Sequence, residues 1–367
     1  MSLLDRLRAE IGLSGPLTTA QYMAACLHDP TFGYYATRPR LGEDGDFLTA
    51  PMVSQMFGEL MGLWSAETWT RLGRPEAVSW VEMGPGDGGL IADALRAVAK
   101  AAPGFLKAAQ LYLIEPSAPL RAAQRERLMG AAARPHWIDA LDGLPTDRPL
   151  ILIANEVLDC LPARQFVRTE GGWAERMVGL GDGDGLAFGL VSRPLDQIMP
   201  EAAPGAILEL CPAQEAMGAA LGEIVARQGG AALLIDYGRA EPGFGDTLQA
   251  LRGHRKISPL ETPGEVDLTV HADFPAVMAA ARAAGAQSAP VLTQAQLLVR
   301  LGIEARAQAL ARARPDKAAT IARQLERFIA PDQMGTLFKA ACIHSDGFEP
   351  PGFEAPDTQE PDAQEGA

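Results

Sequence analysis

Five acidic residues of this 367-residue chain, Glu82, Glu115, Asp139, Glu156 and Asp236, each stand at or beside the end of a short apolar run. Carboxylates in that setting can hold a cation, accept hydrogen bonds from sugar hydroxyls or receive a proton. Around the first of them the sequence reads Val81-Glu-Met-Gly-Pro-Gly-Asp-Gly-Gly-Leu90. Glycine serves where the backbone takes a positive φ or where a ligand comes too close for a side chain, so this loop points to a nucleotide-like ligand. Gly84, Gly86 and Gly89 fit the dinucleotide pattern G-x-G-x-x-G. Glu82, Gly84, Gly86 and Gly88 offer the rival pattern E-x-G-x-G-x-G.

Charge separates the two. A pyrophosphate binds a helix N-terminus through its amides and dipole, and Glu82 and Asp87 would repel it, while Pro85 removes one N–H donor. S-adenosylmethionine carries an ammonium and a sulfonium, which carboxylates attract, and the loop is read as a site for that methyl donor. Glu115 is placed to accept from ribose hydroxyls, a role shared by NAD and S-adenosylmethionine sites, or else caps the next helix. Asp139 takes the adenine amino group or is a surface turn residue. Asn155-Glu156-Val-Leu-Asp159 follows the fourth apolar run, where a class I methyltransferase would present its acceptor. If that acceptor is a guanidinium, its planar fork suits paired carboxylates, with Glu156, Asp159 and Asp236 as candidates. Methyl transfer is an in-line displacement, so positioning and exclusion of water would supply most of the catalysis.

The elements that must hold these residues alternate apolar runs with helical patterns. Strands are expected at 78–83, 111–114, 136–139, 150–154 and 232–235, with helices at 90–100 and 120–129. This predicts an α/β fold with a mostly parallel sheet flanked by helices, functional loops lying at the carboxyl ends of the strands. Residues 1–75 read as an N-terminal helical lid segment and 76–345 as the methyltransferase domain. A Gly-rich antiparallel β insertion falls at about 165–195 and an Ala- and Arg-rich helical insertion at about 294–333. The Pro- and acid-rich tail 346–367 is expected to be disordered.

A net charge of −14 argues against a nucleic-acid partner. With 47% hydrophobic and 21% charged residues the composition is that of a globular protein, and no apolar run reaches membrane-spanning length. Cys26, Cys160, Cys211 and Cys342 form no C-x-x-C, so neither a metal site nor a disulfide framework is supported. The amphipathic start, with Asp5 and Glu10, is unlike a secretory or transit signal, and the cytoplasm is the expected location.

Taken in order, GPLTTAQYM, HDPTFGYY, GDFLTAPMVSQMFGEL, VEMGPGDGGLIADAL, ANEVLDCLPARQF, LIDYG and PGEVDLTVHADF resemble the MidA-type methyltransferases from about Pro16 to Ile343. That family is similar in fold to the class I (Rossmann-like) S-adenosylmethionine-dependent enzymes. It includes a mitochondrial complex I assembly factor that methylates arginine in a complex I subunit. The resemblance implies that Glu82, Gly84, Gly86 and Gly88 form the cofactor loop, that Glu115 holds the ribose and that Asn155-Glu156 borders the methyl-transfer site. It implies a lid from Gly45-Asp-Phe-Leu-Thr49 through Ser54-Gln55, packed by Tyr34, Tyr35 and Phe47. Gly264-Glu-Val-Asp267, His271 and Asp273 would lie across the pocket, although His271 is equally read as a half-buried residue bonded to backbone. The candidate cofactor residues are thus Glu82, Gly84, Pro85, Gly86, Asp87, Gly88, Glu115, Ser117, Asp139, Thr49 and Ser54. The candidate catalytic residues are Asn155, Glu156, Asp159, Asp236 and His271, with no metal and with a protein, a complex I subunit, as substrate. Two other functions fit the same fold: a non-catalytic assembly chaperone and an NAD-dependent oxidoreductase.

Overall fold

Runs in which every second residue is not polar form strands buried on both faces. In the computed structural model, which describes residues 2–37, 50–183, 185–192, 199–253 and 255–355, six strands form the body of a nine-stranded sheet. They are Val78–Met83 (β1), Ala109–Ile114 (β2), His136–Ile138 (β3), Leu150–Asn155 (β4), Gly230–Arg239 (β5) and Phe338–His344 (β6). Their order is β3-β2-β1-β4-β5-β6. The pairs from β3 to β5 are parallel, and β6 runs antiparallel to β5. Alternate residues serve opposite faces: Trp80, Leu113, Ile153 and Leu233 enter one core, and Val81, Tyr112, Leu152 and Leu234 the other.

Helices cover both faces by the same device. Helix Gln55–Arg71 meets helix Gly89–Ala101 through Gly58 and Gly62. On the other face, helix Pro212–Gln228 meets helix Phe274–Ala283 through Gly218 and Gly222. A Cβ at Gly62 would stand 2.8 Å from Ala94 Cα, and one at Gly222 would stand 2.5 Å from the Ala281 carbonyl oxygen. Glycine inside a helix costs about 0.5–1 kcal/mol relative to alanine, and the close approach of backbones explains its presence.

The β insertion consists of Arg164–Thr169, Gly172–Leu180 and Leu186–Val191, joined by Ile207–Leu210. A further strand comes from the N-terminus, since Leu17 pairs with Val178 and Thr18 with Met177. Leu3, Leu7, Tyr22, Met23 and Leu27 pack into the same cluster as Val178, Leu268 and Val270. The first seventy-five residues therefore do not pack as one lid segment. The first helices belong to the face of the β insertion, and Gln55–Arg71 belongs to the main sheet.

The helical insertion buttresses that last helix. Arg306 pairs with Glu59 at 2.6 Å, Gln324 Nε2 donates to the Val53 carbonyl at 2.7 Å, and Phe328 stacks on Phe57. The expectation of a disordered tail from 346 onward is corrected through Ala355. Phe348 and Phe353 are buried, Trp64 Nε1 donates to the Pro351 carbonyl at 3.1 Å, and Arg71 pairs with Glu354 at 2.6 Å. Two aromatic side chains suffice to anchor a stretch whose composition is otherwise polar. Residues 356–367 lie outside the described residues.

Overpacking a tight helix contact costs about 1–3 kcal/mol, sometimes more. Gly62→Val and Gly222→Val are each expected to lower the unfolding free energy by at least that order in urea titrations. Gly12→Ala, at an exposed position of helix Leu3–Ser14 with nothing near its missing Cβ, should raise it by about 0.5–1 kcal/mol. Equal effects at all three positions would contradict the packing role.

Candidate functional site

Register brings the acidic strand ends to one edge of the sheet. Met83 pairs with Ile114 and Ala154, and Asn155 with Ile235, so Gly84, Glu115, Glu156 and Asp236 emerge together. The chain order reverses between β1 and β4, which opens a crevice at their carboxyl ends. A cavity of about 410 Å³ fills it, within the size range of small-molecule sites. Its wall carries seven carboxyl side chains and, among the described residues, no lysine or arginine.

Gly84, Gly86 and Gly88 take φ of 64°, 54° and 84°, which side chains rarely tolerate. Two of the loop's amides are engaged within it. Gly88 N donates to the Pro85 carbonyl and Gly89 N to Asp87 Oδ1, both at 2.8 Å. Asp87 Oδ2 accepts from Arg127 at 2.7 Å. The expectation that Asp87 repels a phosphate by its charge is corrected, because Arg127 compensates that charge; Asp87 instead takes a donor that a pyrophosphate would need. Glu82 is only 3% exposed, and its Oε2 has no partner. Burial pushes its carboxyl up to about 8, and the charge of Asp87 adds to the rise.

At the end of β2, Glu115 faces the cavity with Oε1 accepting from Ser117 N at 2.8 Å and Oε2 from Gln124 at 3.3 Å. Burial raises this carboxyl and both donors oppose the rise. Ser117 caps the following helix, and its hydroxyl donates to the Tyr35 carbonyl at 2.8 Å. Asp139 stands at the rim, its side chain 82% exposed and paired with Arg121 at 2.5 Å. Gln124, which sequence reasoning missed, bridges Glu115 and the Gly86 carbonyl while accepting from Trp137. A glutamine between Leu120 and Leu128 on one helix face was its signal. Ser54 is not in the cavity wall; it caps helix Gln55–Arg71, its hydroxyl accepting from Met56 N. Thr49 and Gly45–Thr49 lie outside the described residues.

At the end of β4, Glu156 continues the ladder by one bond, donating to the Ile235 carbonyl at 2.8 Å, and then turns left-handed with φ 54°. For a glutamate this costs on the order of 1–3 kcal/mol and needs enforcement by its surroundings. Asp236 supplies it: its Oδ2 accepts from Leu158 N at 2.8 Å and Asp159 N at 3.2 Å. Buried Gln214 holds the Leu158 carbonyl at 2.8 Å, and Val270 N donates to the Asp159 carbonyl at 2.9 Å. The turn aims Asn155, Glu156 and Asp159 into the cavity. Glu156 Oε1 accepts from Ala50 N at 3.1 Å and Asn155 Nδ2 at 2.8 Å, leaving Asn155 Oδ1 without a partner. Burial pushes Glu156 up to about 7, with the charge of Asp159 second. Asp159 is raised by burial and eased by the Tyr237 hydroxyl, which donates at 2.6 Å.

Two catalytic candidates are displaced. Asp236 is wholly buried beneath the turn and does not line the cavity, so its side chain fixes the loop instead of meeting a ligand. His271 is also absent from the wall; its ring abuts Tyr237 edge-on at 5.7 Å. Tyr34 and Tyr35, expected to pack the lid, and Asp267, expected across the pocket, do line the cavity, together with His28, Cys160 and Met217, which sequence reasoning did not name for it.

The orphaned acceptors Glu82 Oε2 and Asn155 Oδ1, in a wall rich in carboxyls, fit a ligand that brings cationic or N–H donor groups. S-adenosylmethionine is such a ligand. Glu82 and Glu156 are raised from the ordinary 4.5 to about 8 and about 7. Raised acids bind more protons folded than unfolded, so the empty protein loses stability as pH climbs above about 4.5, the loss being complete above about 8. Cation entry reverses this by ionising them. S-adenosylmethionine should bind more tightly as pH rises from about 6 to about 8 and release protons, read by calorimetry in buffers of different ionisation enthalpy. Glu82→Gln should flatten the upper part of the profile. A flat profile in the unaltered protein would refute this charge balance.

Comparison with known proteins agrees. The model of a family of S-adenosyl-L-methionine-dependent methyltransferases matches residues 60–292. The Danio rerio protein arginine methyltransferase NDUFAF7, mitochondrial, is 32% identical, over 92% of this chain and 86% of that one. Its Drosophila melanogaster homolog is 34% identical, over 92% and 84%. A Burkholderia thailandensis protein crystallised bound to S-adenosyl-homocysteine superposes with a TM-score of 0.82 at 29% identity, covering 96% of this chain and 92% of that chain. With a mixed sheet whose glycine loop engages two of its own amides, and with relatives along nearly its whole length, the chain belongs to the MidA-like family of S-adenosylmethionine-dependent methyltransferases.

Proposed function

We propose that this methyltransferase modifies arginine side chains of a protein, and that the protein is a subunit of the respiratory NADH dehydrogenase, complex I. The observation that carries the first half is the cavity wall: several buried carboxyls, two orphaned acceptors and no lysine or arginine among the described residues. A guanidinium is always charged and presents five donors in a planar fork, which such a wall can satisfy. The names of the relatives, protein arginine methyltransferases, support the same acceptor. The second half rests on the family resemblance.

S-adenosylmethionine, when bound, supplies an electrophilic methyl group. Glu156, anchored through Oε1 by the Ala50 amide and by Asn155, is poised near neutrality to take the proton that the guanidinium nitrogen sheds as its bond to carbon forms. Met52, Met83, Val157, Leu161 and Met217 line the cavity and keep water from the reacting groups.

Soluble protein from cells lacking this gene, incubated with the enzyme and tritiated S-adenosylmethionine, provides the test. The label is expected in methylarginine on one complex I subunit, identified by mass spectrometry. Glu156→Gln should lower the labelling by about 100-fold or more. Methylarginine on some other protein would retain the arginine reading and remove the complex I partner. Label in lysine, or in small molecules alone, would remove both. If Glu156→Gln abolishes labelling yet supports complex I assembly in full, the binding role of a chaperone is the better reading.

A further inference from the structure

The paired-carboxylate logic for a guanidinium named Asp236 as one partner, and the structure withdraws it beneath the loop. Another carboxylate occupies the cavity wall instead. Asp267 opens the short strand Asp267–Thr269, is 8% exposed and lines the cavity opposite the glycine loop. The Tyr35 hydroxyl donates to both of its oxygens, at 3.2 and 3.1 Å. Tyr35 is half-buried, and desolvation of its hydroxyl together with the charge of Asp267 holds it well above its usual range, so it stays a donor. The His28 ring stacks on Tyr35 at 5.8 Å and 18°, and its Nε2 lies 3.3 Å from the Cys160 carbonyl.

Asp159, on the loop after β4, repeats the arrangement. It too lines the cavity, and a buried tyrosine, Tyr237, donates to its Oδ2 at 2.6 Å. The two carboxylates line one cavity from different elements, and Val270 N, three residues beyond Asp267, donates to the Asp159 carbonyl at 2.9 Å and ties the two segments together. Asn155 Oδ1, nine-tenths buried and without a partner, faces the same cavity.

We propose that Asp159 and Asp267 together seat the guanidinium of the acceptor arginine, with Tyr35 as the positioning residue that orients Asp267. This deepens the arginine reading and rests on it. A lysine ammonium is a compact charge that one carboxylate and a carbonyl can satisfy. A guanidinium spreads its donors over two edges of a plane and calls for acceptors on both. The tyrosines hold each carboxylate in one rotamer before the substrate arrives, so that less freedom is lost on binding. Asp267 is thereby a specificity-determining residue, whereas Glu156 handles the proton.

The test uses the full chain, tritiated S-adenosylmethionine, protein from cells lacking the gene, and amino-acid analysis of the labelled product. Asp267→Asn keeps the size and the tyrosine contact and removes the charge. It should lower methylarginine formation about tenfold or more while the dissociation constant for S-adenosylhomocysteine stays within about twofold, which also shows that the variant is folded. Tyr35→Phe should raise the half-saturating concentration of acceptor protein several-fold with the rate at saturation unchanged; a merely structural loss would lower that rate. Methylarginine formed equally by the parent and by Asp267→Asn overturns the seat and leaves the arginine reading intact. Label absent from arginine in the parent overturns both. If Asp267→Asn does not fold, Tyr35→Phe decides: unchanged half-saturation overturns the seat.

Discussion

The constraint on which the structure depends is the burial of several carboxyls in one cavity without a lysine or arginine among the described wall residues. In a medium that solvates ions poorly, such groups either pair, hydrogen-bond or keep their protons. Here the response is divided. Asp87 pairs with Arg127 and Asp159 and Asp236 accept hydrogen bonds, while Glu82 and Glu156 are driven toward and past neutrality. The empty cavity therefore carries less negative charge than its residue types imply. It becomes anionic as a cation enters, which couples recognition of charge to the release of protons. A phosphate gains nothing from such a wall, and the loop amides that would have received one are already engaged by Pro85 and Asp87.

Holding those carboxyls where water cannot solvate them is the work of the scaffold. Flush register at the ends of β1, β2, β4 and β5 sets their common height. Paired glycines let the covering helices close on both faces, which stiffens the sheet beneath the site. The left-handed turn at Glu156 would not persist alone. Asp236, buried under it, trades its own solvation for two backbone donors and so stabilises the conformation that faces Glu156 and Asp159 inward. Removal of the ligand-facing role from Asp236 does not make it dispensable, since the geometry of its neighbours is built on it.

What the sequence made legible follows the reach of local patterns. Apolar runs closed by acids marked β1, β2 and β4, and with them Glu82, Glu115 and Glu156, all of which the structure places at the cavity. Position at a strand end does not say whether a side chain enters the crevice or turns beneath it. Asp236 shares its ladder with antiparallel β6, where Phe338 pairs with Tyr237; residues 337–343 read as a final strand in the sequence, but nothing there told which strand it pairs with. Ser54, expected in the lid and at the cofactor, instead serves locally as the cap of the helix that starts at Gln55. Tyr35 and Asp267 lie 232 positions apart, and no spacing rule joins them. The wall they form exists because the N-terminal helices pack against the β insertion and the strand at Asp267, a contact between distant segments.

On the arginine reading, the same electrostatics governs turnover. With a sulfonium and a guanidinium both present, Glu82 and Glu156 are held ionised, and the carboxylates are neutralised by their ligands instead of by protons. Transfer removes one positive charge from the cavity, because the sulfur is left uncharged and the displaced proton passes through Glu156 to water. The wall is then over-supplied with negative charge and regains protons, Glu82 and Glu156 first, as the groups driven highest. Reprotonation weakens the hold on whatever cation remains, so the step that completes the chemistry also loosens the methylated side chain. A cavity lined with permanently paired carboxylates would lack that response, since its charge would be the same before and after. The absence of arginine and lysine from the described wall is thus a functional feature: it leaves the carboxyls free to exchange protons for cations and back within one cycle.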